Sequence, residues 1–77
     1  MRELIRKLFA DIFQCDPAEV ADSSSPETVP GWDSFGHLAL VDALQSEFRV
    51  RFEVEDISRM ESVAHIEQIL RLRGAGP

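Results

Sequence analysis

Apolar residues recur at three- and four-residue steps in three separate stretches of this chain. Strands would need strict alternation instead. Leu4, Ile5, Leu8, Phe9, Ile12 and Phe13 line one side of a segment whose other side carries Arg2, Glu3, Arg6, Lys7 and Asp11. That spacing predicts an amphipathic helix over about Arg2–Phe13. Leu38, Val41, Leu44 and Phe48, widened by Leu40, predict a second helix from about Ser34 to Phe48. On that helix Asp42, Gln45, Ser46 and Glu47 are expected to face water. Val63, Ile66, Ile69 and Leu70 predict a last helix from about Ser62 to Leu72. Arg71 and Arg73 suit the negative end of its dipole, and Gly74 stops it. Between the second and last helices, Phe52 is expected to tuck inward, and Glu55–Arg59 reads as a single short helix. The predicted fold class is all-α: a small four-helix bundle with three main helices and a short third one. Residues 1–73 form one domain and 74–77 a flexible tail.

The connection from Gln14 to Gly31 is long for a small domain, and loops of this length are usually functional or unusually well anchored. Pro17, Ser23–Ser25, Pro26, Pro30 and Gly31 argue against a regular element through most of it. Asp16-Pro17-Ala18-Glu19 has the cap, proline and acid of a helix start, so one short turn is expected there. Val20, Val29 and Trp32 are the candidate anchors.

Three properties narrow the function. The single cysteine, Cys15, cannot form an internal disulfide and reads as a small hydrophobe; no Cys/His pair has zinc spacing, and the acids lack calcium-loop spacing. The net charge of −6 disfavours nucleic acid and anionic lipid and suits basic patches on protein partners. Charged residues interrupt every apolar stretch well before a membrane span is reached. The chain reads as a cytoplasmic monomer.

Ser34, His37 and Asp42 invite comparison with a hydrolytic triad. On one helix they span more than two turns, and Ser34 and Asp42 cannot both reach one imidazole. No enzyme activity and no catalytic residue is expected. Ser34 is informative for another reason. It lies where the loop meets the helix, ahead of the core stripe, so its hydroxyl should be exposed. A phosphate joined to it would lie at the helix N-terminus, where backbone N–H groups and the dipole favour negative charge. Asp33 before it is a good N-cap. Gly36, in the first turn, lowers local helix stability by up to about 1 kcal/mol relative to alanine.

Gly31-Trp32-Asp33-Ser34, followed by an amphipathic helix ending in Glu47-Phe48, resembles the acyl carrier protein family. The resemblance extends over nearly the whole chain, including the first helix, the proline-containing loop, the short third helix and Glu61-Ser62-Val63-Ala64-His65-Ile66. It implies a bundle of acyl-carrier type with phosphopantetheine, derived from coenzyme A, attached covalently to Ser34. It implies partners of three kinds: a phosphopantetheinyl transferase, an acyl-loading ligase or acyltransferase, and synthase or transferase enzymes. Asp33, Phe35, His37, Leu38, Asp42, Glu55 and Asp56 are the docking residues it implies. Leu38 and Phe52 match positions near the arm and the mouth of the core, and His37 is expected at the surface near the arm. Two departures stand out. Phe35 replaces the family's usual leucine, and the second helix has only Asp42 and Glu47 as acids. These point to a specialised lipid, polyketide or secondary-metabolite carrier with its own partners. The alternatives are a carrier of aminoacyl or aryl groups loaded by an adenylating enzyme, and a helical interaction module that carries no cofactor.

Overall fold

The computed structural model describes residues 1–75; Gly76 and Pro77, part of the expected tail, lie outside the described residues. Its elements in chain order are α1 (Arg2–Phe13), a 3-10 turn (Pro17–Glu19), α2 (Ser34–Phe48), α3 (Val54–Ser58) and α4 (Val63–Leu72). The described residues form no strand, and none of their helices is long and apolar enough to cross a membrane.

The core is built from the predicted stripes with one change of register. Ile5, Leu8 and Phe9 of α1, Leu40, Val41 and Leu44 of α2, and Val63, Ile66, Ile69 and Leu70 of α4 are all buried. Phe52 is buried as expected. Leu38 is not part of this core; it is 63% exposed. The inward row of α2 is His37, Leu40, Val41, Leu44 and Phe48, spaced three, four, seven and eleven residues from its start. A polar residue heads this row, so an apolar count alone starts it one residue late. Gln45, expected to face water, is half-buried and its Oε1 accepts from Phe52 N–H at 3.0 Å.

The long loop is held at both sides. Val20, Val29 and Trp32 are buried anchors. Asp16 caps the 3-10 turn by accepting from Ala18 N–H at 2.9 Å. From α1, Arg6 donates to the Val20 carbonyl at 3.0 Å, and Arg2 pairs with Asp22 at 3.0 Å and with buried Glu67 at 3.1 Å. From the other side, the N–H groups of Val63 and Ala64 donate to the carbonyls of Ser24 and Asp22, each at 3.0 Å. Ser62 Oγ accepts from His65 N–H at 3.2 Å. The free donors of the first turn of α4 are thereby satisfied by the loop and by the cap. At its other end Ala75, expected in a loose tail, is buried and donates its N–H to Leu70 O at 2.9 Å.

The two glycines flanking the start of α2 have separate roles. Gly31 has φ +90°, a conformation that side chains rarely adopt. Gly36 is required by space: a Cβ there would collide with the Gly31 carbonyl oxygen and stand 2.7 Å from Phe13 Cε1. The sequence marks Gly36 as a weakness of the helix, whereas the structure makes it the condition for seating the helix against the loop. Gly36→Ala should therefore lower stability by about 1–3 kcal/mol in urea denaturation, despite alanine's better helix propensity.

Candidate functional site

Asp33 ends the loop and starts α2. Its backbone is extended (φ −110°, ψ −163°), and its Oδ1 accepts from Gly36 N–H at 3.0 Å. Its carbonyl accepts from His37 N–H at 2.7 Å. Ser34 is thus the first helical residue, and its side chain is exposed. It opens onto a cleft of about 590 Å³ between the loop, the first turn of α2 and α3. Buried Trp32 and Met60 form the floor, with His37 and Ile57 beside them; exposed Glu27 and Glu61 stand at the rim. That volume is within the range of small-molecule sites, roughly 300–1,000 Å³.

His37 is not the free surface residue expected from the sequence. Trp32 Nε1–H donates to its Nδ1 at 2.8 Å, and its Nε2 lies 2.9 Å from the Ile57 carbonyl oxygen. An indole N–H can only donate, so Nδ1 accepts, and the ring proton on Nε2 is donated to Ile57. The two rings also stack, with centroids 6.1 Å apart and planes 20° apart. His37 therefore bridges the loop, α2 and α3. Leaving any one of these half-buried groups unpaired costs about 1–3 kcal/mol. Both ring nitrogens being engaged, His37 has no free atom with which to activate Ser34, which agrees with the rejection of the triad.

The expected docking residues separate into two groups. Asp33, Phe35, Leu38, Asp42 and Glu55 are exposed around Ser34 or along the neighbouring helices. Phe35 is 85% exposed, and Val54, which the sequence did not single out, is 79% exposed on the cleft rim. Asp56 belongs to the other group and is withdrawn from docking. It is buried, its Oδ2 accepts from Glu53 N–H at 2.8 Å, and both its oxygens accept from Arg73 at 2.7 and 2.9 Å. Its acidity and its place beside Glu55 gave it the look of a surface acid; its partner is 17 residues away at the end of α4. The Arg73 guanidinium, hydrogen-bonded to the carboxylate, holds Asp56 below the usual carboxylate range against the opposing effect of burial. Neither Leu38 nor Phe52 lines the cleft. Trp32, Met60 and Ile57 do, and of these only Trp32 carries a signal in the sequence, as an aromatic residue in a proline-rich loop.

This arrangement, an Asp-capped helix with an exposed serine at its head and a cleft beside it, is set in a fold already seen in carrier proteins. The chain matches the solution NMR structure of a holo acyl carrier protein from Geobacter metallireducens with a TM-score of 0.83, at 17% sequence identity. The match covers 94% of this chain and 83% of that one. The fold is that of acyl carrier proteins. No protein-family sequence model matches the chain, and no curated protein matches it in sequence.

The clamp between Asp56 and Arg73 makes a prediction about acid stability. The folded carboxyl titrates below its unfolded value of about 3.9, so its contribution is complete above that pH and disappears as pH falls through the folded value. Asp56→Asn should melt at a lower temperature than the parent at pH 7. The gap should narrow in melts recorded progressively below about pH 4.

Proposed function

We propose that the chain is an acyl carrier modified with phosphopantetheine on Ser34. The observation that carries this reading is the position of Ser34: exposed, at the Asp33-capped start of α2, opening onto the cleft, in a fold shared with a holo carrier. The residues present suit the group. A phosphodiester on Ser34 Oγ would lie at the positive end of a 15-residue helix, which offsets the repulsion from Asp33. The cleft offers an apolar floor for an extended arm. When attached, the group supplies a terminal thiol that holds an acyl group as a thioester.

The protein's own residues present and do not react. Asp33 fixes the first turn, so the Ser34 hydroxyl has a defined direction toward a transferase. Gly36 and the Trp32–His37–Ile57 bridge hold that turn rigid. Phe35 and Leu38, exposed large apolar side chains on the same end of α2, supply anchors for partner enzymes, with Asp42 and Glu55 offering charge to basic patches. The partners are a phosphopantetheinyl transferase, a loading ligase or acyltransferase, and the synthase or transferase that receives the cargo. The few acids on α2 and the aromatic Phe35 favour a specialised pathway over primary fatty acid synthesis. Efficient elongation of the holo form by a fatty acid synthase of the same organism would count against that part.

Incubation with coenzyme A, magnesium and a broad-specificity phosphopantetheinyl transferase should add the mass of one phosphopantetheinyl group to the parent and nothing to Ser34→Ala. No gain with several transferases, in a protein shown to be folded, would replace the carrier reading with that of an interaction module. Phe35→Ala should leave the melting temperature nearly unchanged and slow modification roughly tenfold, as expected for an interface anchor contributing a little over 1 kcal/mol.

A further inference from the structure

An apolar chain carried on Ser34 can leave water only by parting the helices beside the site and entering the bundle. In this protein the seam between α2 and α3 is closed from within. Trp32, 2% exposed, donates to His37, and His37 donates to the Ile57 carbonyl of α3. Behind this bridge Trp32 meets Phe9 edge-on, with centroids 5.1 Å apart at 84°, and Phe13 at 6.2 Å. Phe9, Leu40 and Ile66 beneath are fully buried. α3 cannot swing away freely, because Asp56 ties it to Arg73 at the end of α4. Opening the seam would orphan the Trp32 N–H, the His37 N–H and the Ile57 carbonyl together, and would break a close-packed aromatic layer. The space left for cargo is the cleft, which lies outside the bundle and has the carboxylates of Glu27 and Glu61 at its rim.

We infer that this chain carries short acyl groups on its surface, and that Trp32 and His37 are the specificity-determining residues that keep long aliphatic chains out of the bundle. The inference rests on Ser34 bearing the arm. The test attaches amide-stabilised acetyl, octanoyl and tetradecanoyl pantetheine to Ser34, confirms each product by intact mass, and records the melting temperature and the emission of Trp32, the chain's single tryptophan. The three products should melt within about 1 °C of one another, and the emission should stay that of a buried indole. In His37→Ala the melting temperature should rise with chain length, and His37→Gln, whose amide can accept and donate, should restore independence of length. Should His37→Ala fail to fold, Trp32→Phe removes the N–H alone and should give the same length dependence. A melting temperature that climbs with chain length in the parent, or an emission shift that grows with it, overturns the inference while leaving the carrier reading intact. A folded His37→Ala or Trp32→Phe protein that remains indifferent to length overturns it too. Failure of any arm to attach, seen in the mass, overturns the carrier reading and this inference with it.

Discussion

The approach of Gly36 to the Gly31 carbonyl determines where everything else at the head of α2 can be. No side chain fits between them, so the helix can seat directly on the loop only because residue 36 has none. Gly31, with its positive φ, turns the loop to meet that point. Trp32 then lies inside, Asp33 caps the helix, and Ser34 is left as the first exposed residue of a rigid element. A site on a helix end is held more tightly than one on a loop, and that suits a residue whose attached group must be flexible while its point of attachment is not.

A chain of 77 residues has a small core, and this one supplements it with internal polar ties. Glu67 and Asp56 are buried acids, each paired with an arginine of another element. Such pairs contribute little to net stability compared with apolar replacements, but removing one partner leaves an uncompensated charge. Their effect is specificity: Arg2 joins α1 to α4 and to the loop, and Arg73 joins α4 to α3. The described residues leave no buried side-chain nitrogen or oxygen without a partner. Three of the four helices are therefore fixed to a neighbour by at least one directional contact as well as by packing.

The helix boundaries were legible because periodicity, caps and breakers agreed. Arg2–Phe13 and Ser34–Phe48 fall where the apolar spacing and Asp33 put them, α3 begins one residue earlier than its acids suggested, and Val20, Val29 and Trp32 anchor the loop as their isolation among polar residues implied. What stayed hidden depended on partners distant in sequence. His37 read as a surface residue because its two acceptor and donor partners, Trp32 and Ile57, are brought to it only by the fold. Asp56 read as a docking acid for the same reason. Leu38 read as core because an apolar side chain one position after a polar one carries no mark of which of them faces inward. The exposed serine and its cap were visible; the cleft beside them, assembled from a loop and two helices, was not.

The carbonyls of Asp22 and Ser24 complete the first turn of α4. Local sequence alone therefore cannot finish that helix: two of its end donors wait for a segment about forty residues upstream. Closing so large a loop has an entropic cost before any contact repays it. The two halves of the chain are in this sense each other's template, and order in the loop and order in α4 arise in one cooperative event. A break in the backbone anywhere along that loop would loosen the last helix as well as the loop itself, although no residue of α4 had changed.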